Sequence, residues 1–202
     1  MWGRVALAGL LAGLAIFAWG SASHMLLGLT DHVMKPLPNE DTVLSALRQN
    51  VLESGLYLFP DAGYMAASKG PAEQQKAAAA AWERAYAEQP HGLLVVTQPT
   101  GQPFNMAGRL MIQLGIEIAC ALLAAVLLML AAPSLPRFWA RVLFVAALGV
   151  FASVQIDGPY WNWYGFPGSY FRASALDAVI GWAIAGLVLA AMIRTPGRSQ
   201  AA

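Results

Sequence analysis

Four long apolar runs, separated by polar segments, set the first expectation for this chain. They cover residues 5–29, 107–131, 137–156 and 173–193. A helix needs about 20 apolar residues to cross the hydrocarbon core of a bilayer. The pattern therefore predicts an all-α membrane protein, a bundle of four transmembrane helices. Residues 30–106 separate the first two runs and are polar on average. Loops beyond about 15 residues usually carry structure of their own, and this segment has ordered patterning.

Within it, Val43, Leu44, Leu47 and Val51 repeat at helical spacing. Asn39 stands where an N-cap belongs, and Glu40 and Asp41 suit the positive end of a helix dipole. Gly55-Leu56-Tyr57-Leu58-Phe59-Pro60 and Gly92-Leu93-Leu94-Val95-Val96-Thr97 read as short strands bounded by Gly and Pro. Between them, Pro71 opens a helix that runs to Gln89. Its alanines favour helix strongly, and Trp82 and Tyr86 form an aromatic pair one turn apart. The expected layout is transmembrane helix 1 in residues 1–29, an extracytoplasmic α+β insertion in residues 30–106, and helices 2–4 with a cytoplasmic tail in residues 107–202.

Composition sharpens the class. The chain has 202 residues, 58% hydrophobic and only 11% charged, against about 25% charged in a soluble domain. A net charge of +1 gives no basic field for nucleic acid. A single cysteine, Cys120, excludes an intrachain disulfide framework and a dithiol exchange centre.

Charge placement predicts orientation. Arg4 precedes the first run, Arg137 and Arg141 accompany the second link, and Arg194 and Arg198 follow the fourth run, with no acid beside them. Residues 30–106 instead mix Lys35, Arg48, Lys69, Lys76 and Arg84 with eight acids. Short cytoplasmic segments collect Lys and Arg. Both termini are thus expected in the cytoplasm and the insertion outside, in a bacterial inner membrane. Arg4, an apolar core and Ser21-Ala22-Ser23 also mimic a cleavable signal. Apolar character resumes at Met25-Leu26-Leu27-Gly28-Leu29, which favours a retained anchor. Cleavage would leave three spans in the same orientation.

The link between runs three and four is aromatic: Tyr160, Trp161, Trp163, Tyr164 and Phe166 flank Asn162 and Gly165. Such side chains form interfacial belts in membranes, and the alternative is a lid or ligand-stacking surface. Trp19-Gly20 with Ser23-His24-Met25, Leu37-Pro38-Asn39-Glu40, Gly55-Leu56-Tyr57-Leu58-Phe59-Pro60 and Trp163-Tyr164-Gly165-Phe166-Pro167 resemble a group of small four-span bacterial integral membrane proteins. The resemblance spans most of the chain. It implies a bacterial source and a membrane address, and it brings no activity, cofactor or catalytic residue.

Candidate chemistry centres on Glu117, because an ionisable group inside lipid is costly and marks a functional site by default. Gly9, Gly13, Gly20 and His24 share a stripe in the first run. Arg109, Gln113, Glu117, Cys120 and Ala124 share one in the second, and Ser174, Asp177, Gly181 and Ala185 one in the fourth. Small residues let helices approach closely in lipid, so these stripes are expected to face inward. The expected result is an outward-facing polar pocket lined by His24, Gln113, Glu117, Asp177 and Asp157, with Arg109 and Arg172 as rim charges. Glu117 is expected to pair with His24 or Asp177 from another span.

Several readings of that pocket stand side by side. It is a structural network of paired charges that fixes helix register, or a site for a protein partner or small ligand at the extracytoplasmic face. It is a proton or solute path through Glu117 in a small carrier, or the active site of a membrane enzyme. A metal held by His24, Glu117 and Asp177 lacks any local ligand spacing, and one histidine within the spans does not make a bis-histidine haem site. His32 and His91 are expected on a solvated surface. No nucleophile elbow, phosphate loop or dinucleotide glycine pattern is present. The sequence thus favours a non-enzymatic binding protein with no cofactor and no catalytic residue; its oligomeric state is left open.

Overall fold

Close approach of helix backbones organises the apolar part of the chain. The computed structural model describes residues 2–29, 31 and 33–194; Thr30, His32 and Arg198 lie outside the described residues. Helices α1 (Trp2–Met25), α2 (Glu40–Asn50), α3 (Tyr64–Ala67), α4 (Ala72–Glu88), α5 (Met106–Ala131), α6 (Phe138–Tyr164) and α7 (Gly168–Met192) form a mostly helical fold. Strands β1 (Gly55–Phe59) and β2 (Gly92–Val96) make a two-stranded antiparallel sheet that pairs Gly55 with Val96 and Phe59 with Gly92. Helices α1, α5, α6 and α7 are each long and apolar enough to cross a membrane.

The chain divides into two compact units. The first holds α1, α5, α7 and α6 as far as Pro159. A Cβ at Gly9 would stand 2.8 Å from Leu122 Cα, and one at Gly13 only 2.6 Å from Ile118 Cα. These contacts run in opposite chain directions, so α1 and α5 are antiparallel. Gly181 of α7 likewise faces Ile16 and Trp19 of α1. Helix α6 packs on α7, where a Cβ at Gly149 would meet Trp182 and one at Gly186 would stand 2.9 Å from the Val142 carbonyl oxygen. Ala8, Ala12, Ala121, Ala125 and Ala185 complete the seam with no exposed surface. Such small side chains are what dispersion-driven packing in lipid requires.

The outward surface is apolar. Leu143 and Phe151 are 68% and 69% exposed, an arrangement that water would penalise and lipid would not.

The second unit comprises Pro36–Gln102 and Tyr160–Phe166. A lone two-stranded sheet is marginal in water, and here side chains brace it. Gln98 donates from its backbone N–H to Ser54 Oγ and from Nε2 to the Val51 carbonyl, which ties the end of β2 to the link before β1. The Asp61 carboxylate accepts from the Gly63 and Met65 amides and fixes the turn into α3.

Several boundaries differ from the sequence pattern. Helix α1 ends at Met25 instead of continuing to Leu29, because the Leu26 and Leu27 amides both return to the Ala22 carbonyl and Gly28 turns the chain at φ +57°. Asn39 sits before α2, but its backbone is left-handed and its side chain makes no capping bond. The cap that does form is Asn105, whose Oδ1 accepts from the Gly108 amide at 2.8 Å. Helix α6 runs through Pro159 to Tyr164, so most of the expected aromatic loop is helix and only Gly165–Pro167 remains as a link. Pro159 costs one amide donor without ending the helix. Helix α7 begins at Gly168, five residues before the expected start.

Arg141 also takes a different role from a solvated topology signal. It is 6% exposed. Its Nη1 donates to the Leu135 and Pro136 carbonyls at 3.0 Å each, and its Nη2 to the Ala190 carbonyl at 3.4 Å. Carbonyls near a helix C-terminus carry partial negative charge, so a guanidinium is held there without a carboxylate.

The glycine seam gives a direct test. Gly13→Val should destabilise the protein by about 1–3 kcal/mol, because the added carbons would force α1 from α5. Gly20→Val should be far milder, since no heavy atom lies within 4 Å of an added Cβ there. Thermal melting of both variants in one maltoside detergent checks this; equal melting temperatures would refute the seam.

Candidate functional site

Among the polar residues within the long helices, the structure forms pairs and not a single cluster. His24 Nε2 and Asp177 Oδ2 are 3.4 Å apart, joining the end of α1 to α7. Trp19 Nε1 donates to the Asp177 carbonyl oxygen at 3.2 Å and steadies the same junction. Asp177 is largely covered, with its side chain 20% exposed. Its Oδ1 is buried and accepts no hydrogen bond among the described residues.

Glu117 belongs to a different place. Its Oε1 accepts from Gln113 Nε2 at 2.6 Å, one turn earlier on the same helix. The register that sets Gly9 against Leu122 and Gly13 against Ile118 places His24 level with Ala107. Glu117 is ten residues further on, about 15 Å along the helix axis. Its partner therefore comes from its own helix, not from another span. An i,i+4 pair of this kind needs no second helix, which spacing alone did not rank above a cross-helix partner.

The remaining candidates are local. Ser153 Oγ donates to Asp157 Oδ2 at 2.8 Å within α6. The Arg109 guanidinium lies 5.1 Å from the centre of the Phe104 ring, and Arg172 is exposed on α7. Of the expected inward stripes, Gly9, Gly13, Ala124 and Ala185 are buried, whereas Gly20 faces open space and Arg109, Gln113 and Cys120 are exposed. Among the described residues, no three His, Cys, Asp or Glu side chains are placed to hold a metal ion.

A sizeable cavity lies in the second unit. It has a volume of about 590 Å³, within the range of small-molecule sites. Phe59, Tyr64, Trp82, Tyr86, Trp163 and Tyr164 supply aromatic surface to it. Glu83 is the one carboxylate in its wall, and His91 and Asn162 add polar atoms.

Local structure explains the convergence. Ala79, Trp82, Glu83 and Tyr86 fall at i, i+3, i+4 and i+7 on α4 and so share one face. The Trp82 and Tyr86 ring centres are 5.2 Å apart, and Tyr64 and Trp82 are 5.9 Å apart. Both distances suit tilted aromatic packing. The short side chain of Ala79 leaves room beside them. Tyr64 is delivered by the turn that Asp61 caps. Trp163 and Tyr164 come from the last turn of α6, where the Phe166 amide closes back on the Tyr160 carbonyl and Tyr160 packs on Phe166 at 5.0 Å. His91 is exposed, as expected, and its ring stacks on Tyr86 at 3.8 Å.

The aromatic spacing on α4 was visible in the sequence, but its partners come from β1, α3 and α6 and were not. No protein-family model matches the chain, and neither a curated protein nor a solved structure matches it with significance.

The separation of the polar pairs can be tested by crosslinking in a Cys120→Ser background. His24→Cys with Asp177→Cys should be joined by a short bis-methanethiosulfonate linker, because the longer native side chains meet end to end. His24→Cys with Glu117→Cys should not, because about 15 Å along the helix axis separates them. The reverse pattern, read as gel mobility with and without reductant, would overturn the assignment.

Proposed function

We propose that this chain is a multi-pass protein of the bacterial inner membrane that binds a small ligand through its α+β unit, without catalysing a reaction. Both termini face the cytoplasm and residues 30–106 face outward, as the cation distribution favours. The observation that carries the binding reading is the aromatic cavity, whose size and mainly apolar wall with a few polar groups suit a ligand site.

A site in the α+β unit draws more support than one in the helix bundle. The bundle's polar groups pair as His24–Asp177, between two helices, and as Gln113–Glu117 and Ser153–Asp157, each within one helix. A carrier centred on Glu117 draws less support, because His24 and Asp177 stand about 15 Å further along the helices. An enzyme draws less still, since the sequence carries no nucleophile elbow or other catalytic motif.

Orientation is tested with reporters. A fusion after Ala202 should be active only with a cytoplasmic reporter, and an insertion near Lys69 only with a periplasmic one. The opposite pair of results would reverse the topology.

Binding is tested by purification from native membranes in maltoside and mass spectrometry of released small molecules. A compound should accompany the parent and be lost from Trp82→Ala, with circular dichroism unchanged. The same compounds on both proteins would overturn the cavity as the site.

A further inference from the structure

We propose that the cavity of the α+β unit selects an organic cation of the quaternary ammonium class. This rests on the binding reading above and adds the chemistry of the ligand.

Three features converge on a cation. The wall offers the rings of Tyr64, Trp82 and Tyr86 in a tilted series, with Phe59, Trp163 and Tyr164 around the same space. The face of an aromatic ring carries negative electrostatic potential, and Trp offers the strongest. Several aromatic rings around one volume favour a diffuse positive charge that is easily desolvated, which describes a quaternary ammonium and not a compact, strongly hydrated ammonium.

The second feature is Glu83, on the same face of α4 as Trp82 and Tyr86. It is the only carboxylate in the wall, and neither Lys nor Arg lines the cavity. Among the described residues it forms no ion pair. Its charge is therefore available to a ligand. An anionic guest would meet this carboxylate without a compensating cation.

The third feature is polarity. His91 and Asn162 give hydrogen-bonding atoms at the wall, which suits a short polar arm on the cation, such as a hydroxyl. His91 lies flat on Tyr86, so it covers one face of that ring. A trimethylammonium group on a short polar arm fits this set of contacts, whether free in solution or as the headgroup of a lipid.

The test uses the full chain in maltoside, whose headgroup is neutral. Choline is titrated against 3,3-dimethylbutan-1-ol, its uncharged isostere, by calorimetry. Choline should bind at least about tenfold more tightly than the isostere, the scale of a desolvated cation–π contact. Trp82→Leu, which keeps apolar volume and removes the ring, should weaken choline by about tenfold and leave the isostere nearly unchanged. Glu83→Gln, at an exposed position that keeps the fold, should weaken choline about threefold.

Equal binding of choline and isostere, both lost in Trp82→Ala, would overturn the cation while leaving the binding reading intact. No binding of either up to about 10 mM would overturn the cation class. If the native-membrane purification also yielded no Trp82-dependent compound, the binding reading would fall with it. Nanodiscs separate the two sources. Competition with choline by phosphatidylcholine discs but not phosphatidylglycerol discs would support the cation as a lipid headgroup. Indifference to disc composition would support it as a free solute.

Discussion

The backbone approach between α1 and its neighbours is the constraint on which the helical unit depends. In lipid the solvent is as apolar as leucine, so burial alone does not drive helices together. Contact must come from surfaces that fit closely. Gly9 and Gly13 remove the side chains that would hold α1 away from α5, and Gly181 admits Trp19 against α7. Helix α1 thereby lies between two antiparallel partners. Gly149 and Gly186 do the same between α6 and α7. Arg141 then joins the α5–α6 link to the end of α7 through three carbonyl oxygens. A buried guanidinium is expensive; here carbonyls of the chain turn and a helix end compensate Nη1 and Nη2, while the buried Nε has no partner among the described residues.

Once the seam is filled by glycine and alanine, the helical unit has little room for polar groups at its centre. Apart from the buried Arg141, its ionisable residues are placed near the end of α1 or on partly open faces. His24 and Asp177 link two helices, whereas Glu117 is satisfied by a neighbour on its own helix. The cost of an intramembrane carboxylate is thus met by a local hydrogen bond, without a second helix. Chemistry of a different kind is available in the α+β unit, where longer aromatic side chains leave a volume that the alanine face of α4 does not fill.

This division gives a physical sense to the proposed role. Four apolar helices supply a membrane address, and the smaller unit supplies shape and electrostatic preference. An aromatic wall with one carboxylate discriminates by charge diffuseness more than by directional hydrogen bonds. Ligand selection then rests on side chains from α4, the sheet and the last turn of α6, so the site requires that the chain ends of this unit be brought together.

The sequence by itself determined the four long helices, because twenty-odd apolar residues in a row have one stable form in lipid. It also determined the two strands and α4, where Gly and Pro punctuation, β-rich composition and an alanine run act locally. It placed Trp82 and Tyr86 on one helix face for the same reason. What it did not determine was which residues meet across elements. The stripe containing Glu117 had the right period, yet period fixes a face and not the neighbour that covers it. Tyr160–Phe166 read as a loop because the apolar run ends at Ile156, but α6 continues through Pro159 to Tyr164, and one lost amide bond did not outweigh that continuation. Asn39 had the composition of a cap and the wrong backbone, while Asn105 made the bond. Only the tertiary structure brought Trp163 and Tyr164 to Phe59, Tyr64 and Trp82, because a cavity is set by the separation of distant elements, which no local pattern encodes.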